Sequence, residues 1–395
     1  QQIGRIRGEY EGANIHKAVE AFLAVATCEQ VPMQTLEFYA QPGIERVGRI
    51  APHWLQEMKA MADTAGVDPY LYLTYMYSNL LFTSRGKGWR ELCTEFPHEC
   101  TSYAATGPVT EDSGIFWHKT RDKVPSPQSA YIVTSDMPGL YKFMQMATMA
   151  VNEKGLALSG DWGGPEATVP RYRSRIEFHR HIMETAADCD EALAILQDLV
   201  GRGWYVGGTR VGQRWTIVDR RGRILDVTHS SDVDSLKWQY VDNGGPHITR
   251  DSAKRLMEVD RPISFLTFHD VSRDTLVQRS VAGCTVEVHP EYPEYLTVAW
   301  VSFPARSLPF ALFTGGTKTP VPLFDGTIDA MGHRAGMSFD DIREYEQTLY
   351  EECKNLRQSL YNLIKQGRET EVPNIIDVWV QDYTKRHTEA LYLAQ

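Results

Sequence analysis

The sequence contains no Cys-x-x-Cys pair and no His-Glu-x-x-His motif, so the common zinc-site patterns are missing. It has no Gly-x-Ser-x-Gly stretch, which excludes the nucleophile elbow of α/β-hydrolases. Six cysteines in 395 residues are too sparse for a disulfide scaffold and leave the redox compartment open. No apolar run approaches the ~18 residues of a membrane span. Positive charge is in deficit: the net charge of -10 argues against a nucleic-acid binder, because phosphate contacts need a basic face. There is no repeat, low-complexity tract or linker, and hence no sharp domain boundary. Gln1-Gln2 opens the sequence without methionine or an apolar signal region, which fits a trimmed chain or an exported one freed of its signal peptide. The compartment, cytoplasmic or exported, stays open.

What is present is ordinary globular material: 42% hydrophobic and 23% charged residues, enough chain for one large domain or two smaller ones. Residues 1–99 read as mainly helical. From His53 to Ala65, apolar Trp54, Leu55, Met58, Met61, Ala62 and Ala65 recur with a helical period that Gly66 ends. Asp68-Pro69 then opens a helix through Leu81, with Asp68 as N-cap. The texture changes at Cys100. Thr101–Ala105, Gly114–Trp117 and Ala130–Ser135 read as strands. Phe143–Val151 and Leu156–Ser159 read as a hairpin about Asn152–Gly155, and Trp215–Val218 with Arg223–Val227 as another about Asp219–Gly222. Between them the spacing predicts a helix over 174–201. Thr285–His289 and Leu296–Phe303 are further strands. Beyond about residue 320 the pattern is helical again: Ser338 with Asp341 predicts a capping box, and apolar steps run from Ile342 to Leu363. A shorter helix starts near Pro373, and this pair is expected to pack on the body or on a second subunit. Strand runs grouped around helices predict an α+β or layered class rather than strict βαβ alternation.

Few residues offer chemistry. His179 and His181, in a helix, point about 200° apart and make a poor metal pair. The glycine-rich stretch of Gly201, Gly203, Gly207 and Gly208 follows a helix, the reverse of a dinucleotide loop. No metal is expected. Cys100 remains, in "FPHECTSYAATG". A cysteine at an arbitrary position is more often a buried small hydrophobe than a nucleophile. This one stands at the first position of a strand, after polar His98-Glu99 and before the hydroxyls of Thr101 and Ser102. The next strand, "GIFWHKTRD", ends in Lys119 and Asp122 and would bring a cation and a carboxylate beside the thiol. Taken alone, those two read as a solvated surface pair.

These stretches resemble the amino-terminal signature of N-terminal nucleophile (Ntn) hydrolases of the choloylglycine hydrolase and acid ceramidase type. There, Cys-Thr-Ser/Gly, a strand and a turn lead to Gly-Arg-Asn-x-Asp. The closer resemblance is to the acyl-coenzyme A:6-aminopenicillanic acid acyltransferase-like branch, which carries a helical propeptide before the cysteine. "MADTAGVDPYLYLTYMYSNLLF", "MAVNEKGLALSGDW", "ADCDEALAILQDL" and "WTIVDRRGRILDV" keep that family's order, and the resemblance spans about residues 5 to 310.

The resemblance implies an α+β fold, the four-layer αββα sandwich of Ntn hydrolases. Residues 1–99 would be a helical propeptide or small subunit, 100–320 the catalytic core, and 321–395 a helical C-terminal extension. Cys100 matches the nucleophile, and Asp122 the aspartate that binds the cysteine's amine or the substrate. Lys119 stands where bile-salt hydrolases and ceramidases have arginine. Asn243 is the candidate for the oxyanion asparagine, although the histidine that follows it in the family is Gly244 here. Asp161 occupies the place of the second asparagine, and Arg279, with Arg306 as alternative, that of the late arginine; Asp161 and Arg279 are thus expected to bind substrate. Glu99 is the last residue of the propeptide, where the penicillin branch often has glycine.

The implied protein is an autoprocessing zymogen, cleaved between Glu99 and Cys100. It would be an amidohydrolase or N-acyltransferase acting on a small N-acyl amide through an acyl-cysteine thioester. No cofactor is implied, with acyl-coenzyme A open as acyl donor. Partners are the small N-acyl substrate and, through the C-terminal helices, further copies of the chain as a homo-oligomer. The alternative is a non-processing relative that keeps the fold as a binding or assembly module, favoured by Glu99, Asp161 and Gly244.

Overall fold

The computed structural model describes residues 1–78, 100–123, 127–168, 177–204 and 212–395, the side chain of Asn243 excepted. Glu99, Leu81, residues 174–176 and Gly207-Gly208 lie outside the described residues. Two antiparallel sheets form the centre. The first holds β1 (Thr101–Thr106), β2 (Ile115–Asp122), β10 (His247–Ile248), β11 (Ser280–Val288), β12 (Val298–Ser302) and β13 (Phe310–Phe313), in the order β10-β1-β2-β11-β12-β13. The second is a meander in chain order: β3 (Ala130–Val133), β4 (Phe143–Met146), β5 (Met149–Asn152), β6 (Ala157–Trp162), β7 (Gln213–Val218), β8 (Ile224–His229) and β9 (Lys237–Tyr240).

The period of two along each strand sorts the apolar residues between two cores. Met144, Met146, Met149, Val151 and Ala157 turn toward the first sheet and share a core with Trp117, Cys284 and Val286. Phe143, Ala150, Leu158, Trp215 and Leu225 turn away from it into a second core. The gap between the sheets is bridged where the Trp117 indole N–H donates to the Thr216 carbonyl at 3.2 Å.

Helices cover both outer faces. On the second sheet lie α1 (Gln2–Cys28), α2 (Met33–Ile50), α3 (Pro52–Thr64), α4 (Pro69–Ser78), α5 (Phe178–Thr185) and α6 (Cys189–Gly201), which bury Trp54, Leu73, Tyr77, Ile182 and Leu196 there. On the first sheet lie α7 (Phe265–Asp270), α8 (Phe339–Lys365) and α9 (Val372–Leu393). Phe265 packs edge-on against Trp300 with ring centroids 4.9 Å apart, and Phe313 meets Trp379 at 5.6 Å. Helices, sheet, sheet and helices make the four-layer α+β sandwich expected, and the C-terminal pair is its outer layer.

The N-terminal helices are fastened by shape and by charge. A Cβ on Gly4 would lie 2.2 Å from the Glu57 carbonyl oxygen, so glycine there lets α1 close onto α3. Arg7 reaches Glu57 at 3.1 Å, Arg180 joins Glu57 to Glu184, and Glu184 accepts from His53 at 2.9 Å and the Trp54 indole at 2.7 Å. Burial alone would raise the Glu57 carboxyl, but Arg180 and Arg7 hold it below the ordinary range.

Three expectations need correction. Phe143–Val151 is two strands, because Ala147 adopts a positive φ of 55° and turns the chain between β4 and β5. The helix over 174–201 is broken after Thr185: Asp188 is extended and caps α6, accepting from the Asp190 and Glu191 amides. The last helix is 22 residues, hardly shorter than the 27 of α8. The Ser338–Asp341 capping box is present.

Candidate active site

Cys100 lies just before β1, and β1 runs against β2 with Thr101 opposite Thr120 and Ser102 opposite Lys119. One step further in this register, Cys100 comes opposite Arg121. Its thiol donates to the Asp122 carbonyl oxygen at 3.8 Å, and the residue is half-buried. Alternation along the strands turns Ser102 and Lys119 inward, toward β6. There the fully buried Lys119 ammonium donates to the Gly160 carbonyl at 2.9 Å and to the Asp161 carboxylate. Asp161 also accepts from Ser102 at 3.0 Å and Thr249 at 3.2 Å, while Ser159 lies 2.8 Å from Ser102. Burial works to push the Lys119 ammonium down; the Asp161 carboxylate and then the charge of Cys100 more than offset it and hold it above the ordinary lysine range.

Other expected residues divide by position. Asp122 ends β2 beside the cysteine, and its carboxylate accepts from Ser280 at 2.5 Å across the β2–β11 pair. Arg279 is at the same end of the sheet, its carbonyl accepting the Lys123 amide at 3.2 Å. Arg306 lies nearby, its guanidinium 3.4 Å from the Val277 and Gln278 carbonyls. Asp161 belongs to Lys119 as its counterion. Asn243 is not brought to Cys100. Its turn, Asp242–Gly244, packs on Thr106 at the opposite end of β1, about 20 Å from Cys100 at the rise of a strand. The same packing explains the missing histidine: Gly244 has φ +77°, and a Cβ there would lie 2.2 Å from the Thr106 carbonyl oxygen.

Arg121 was not singled out by sequence reasoning. It follows Lys119 by two on the same face of β2, donates to Gln128 at 2.9 Å, and among the described residues pairs with no carboxylate. Burial lowers its guanidinium from the ordinary value, and the charge of Cys100 supports it. The signal was present as the alternation Lys119, Arg121, Lys123. Among the described residues, no three His, Cys, Asp or Glu side chains converge as a metal site, and no helix is long and apolar enough to cross a membrane.

With the cysteine, its cations and the two sheets in place, the chain can be set beside known proteins. Residues 109–257 match the acyl-coenzyme A:6-aminopenicillanic acid acyl-transferase family. The resemblance to this acyl-transferase family read from the sequence is borne out over that segment, which holds Lys119, Asp122, Asp161 and Asn243 and starts beyond Cys100. No curated protein matches the chain. Among solved structures, penicillin V acylase from Agrobacterium tumefaciens is similar at 13% identity and a TM-score of 0.38, covering 54% of this chain and 85% of that one. A variant of conjugated bile acid hydrolase from Clostridium perfringens is similar at 11% identity and 0.38, covering 54% and 92%.

Proposed function

We propose that the protein is an amidohydrolase or N-acyltransferase of the Ntn type, with Cys100 as its nucleophile and a small N-acyl amide as its substrate. The observation that carries this reading is a half-buried cysteine at the head of β1, flanked by Lys119 and Arg121 on the adjacent strand. The thiolate is the reactive form of cysteine.

The first reaction is on the chain itself. The Cys100 thiol attacks the Glu99 carbonyl carbon, a C–S bond forms as the C–N bond breaks, the thiol proton passes to the departing nitrogen, and water hydrolyses the resulting thioester. The freed α-amine, with a reference pKa of about 7.7–8.0, then takes the thiol proton as general base. Asp122 holds the resulting ammonium by a charge-assisted hydrogen bond. The thiolate attacks the substrate amide carbonyl, and a backbone N–H stabilises the oxyanion, since Asn243 lies at the far end of β1. The C–N bond breaks, the amine leaves with the proton of the α-ammonium, and a thioester remains. Water resolves it to an acid; a second amine resolves it to a new amide. Acyl-coenzyme A, exchanging its own thiol, would load the same thioester.

Turnover of a panel of N-acyl amino acids, peptides, β-lactams and acyl-amines by the wild type and by Cys100→Ala tests this. Amine release by the wild type alone is expected. No release anywhere in the panel, together with slow iodoacetamide labelling of Cys100, would count against it. Asp161 favours a second reading, a non-processing relative serving as a binding or assembly module, because an ionised carboxylate cannot donate where the family resemblance has an asparagine. That reading expects an intact chain and no turnover.

A further inference from the structure

We infer that the substrate carries a carboxylate close to its scissile amide, as an N-acyl amino acid does, and that Arg121 is the residue that selects it. The inference rests on the reading of Cys100 as nucleophile and adds the substrate class. Three observations lead to it.

Arg121 is shared by the surroundings of Cys100 and by the wall of a cavity of about 430 Å³, a volume suited to a small molecule. The cavity lies between α1, the start of β3 and the turn at Phe324–Gly326, and its apolar wall is made by Tyr10, Tyr131 and Phe324.

The charges around this cavity are unequal. Arg7 is matched by Glu11 and Glu57, and Asp325 caps the helical turn that follows by accepting the Thr327 amide at 2.8 Å. Lys119 is matched by Asp161. Arg121 has only the neutral Gln128 as hydrogen-bond partner among the described residues, at 2.9 Å. Gln128 occupies one end of the guanidinium fork and fixes its plane, and the remaining N–H groups have the geometry for a bidentate carboxylate.

A second cation stands two residues on. Lys123 is pushed down to about 8 by burial and by Arg121, as two like charges held close would be when no anion is shared between them among the described residues. A bound carboxylate would relieve both.

The test uses the full-length Cys100→Ala protein, in which neither turnover nor a thiolate complicates the readout. N-benzoyl and N-hexanoyl amino acids, and the matching primary amides, are titrated calorimetrically. The acids are expected to bind at least about tenfold more tightly than their amides, the scale of one charge-assisted hydrogen-bond pair. Adding Arg121→Met should reduce that preference to below about twofold, and Arg121→Lys should restore part of it. Equal binding of acid and amide, including no binding of either, would overturn the inference, as would a preference that survives Arg121→Met. Turnover by the wild type is followed in parallel. An acid preference without turnover would sink the reading of Cys100 and leave Arg121 as a carboxylate site; turnover without an acid preference would sink only this inference.

Discussion

Lys119 and Asp161 are a buried ion pair, and such a pair is worth less than the cost of breaking it. Asp161→Asn leaves a buried ammonium without its counterion and is expected to destabilise the protein by about 3–5 kcal/mol in urea unfolding, whereas Lys119→Met combined with Asp161→Leu should recover most of that loss. Cysteine reactivity separates the thiols at the same scale. Burial pushes Cys284 up beyond the thiol range and Cys353 up to about 12, so both should label with iodoacetamide more slowly than the half-buried Cys100. At this scale the sequence was most informative about single residues on one strand. Lys119 and Asp122 were legible because their spacing from Cys100 is local. Asn243 was not, because the approach of Gly244 to Thr106 is a long-range fact that no spacing encodes.

Secondary-structure elements follow from local chemistry wherever a stop signal is present. Ser338 and Asp341 gave the start of α8, and Asp219–Gly222 the turn between β7 and β8. Ala147 carries no turn chemistry, so the break between β4 and β5 was hidden; Asp188 carries it, and the break before α6 was there to be read. The N-terminal helices make a further test. Arg180 lies between Glu57 and Glu184 in a half-buried to buried network. Arg180→Met should cost about 1.5–3 kcal/mol by removing the cation that Glu57 and Glu184 share, leaving Arg7 on the one and His53 with the Trp54 indole on the other, while Arg368→Met, on the surface pair with Glu371, should leave the urea midpoint unchanged. If the chain is cut before Cys100, this network and the apolar core that α1–α4 share with the second sheet are expected to keep residues 1–78 bound. Co-elution of both fragments in native size-exclusion chromatography checks that; separation of the fragments would contradict it.

For the whole molecule, the grouping of strand patterns made an α+β or layered class legible, and the resemblance supplied the two sheets and the four layers. What composition did not reveal is that residues 1–78 and the last two helices form the outer layers. The same burial sets a pH dependence. His229 and His289 are pushed down to about 4 and His387 to about 3, each chiefly by burial, and His118 falls well below its ordinary value. Each folded pKa is below the unfolded value of about 6.5, so the unfolded chain binds more protons between about 6.5 and the folded value. Stability is therefore full above about pH 6.5 and declines as the pH falls from there toward 4. Urea midpoints should drop between pH 7.5 and pH 5; equal midpoints would show that these imidazoles are not held neutral.

The central claim is that Cys100 is a latent amino terminus, and sequencing the amino termini of the purified protein on a denaturing gel tests it most directly. The account expects a chain beginning Cys-Thr-Ser-Tyr in the wild type and an uncut chain in Cys100→Ala. A wild-type protein that stays uncut after prolonged incubation, or a Cys100→Ala protein that is cut at the same bond, would contradict it.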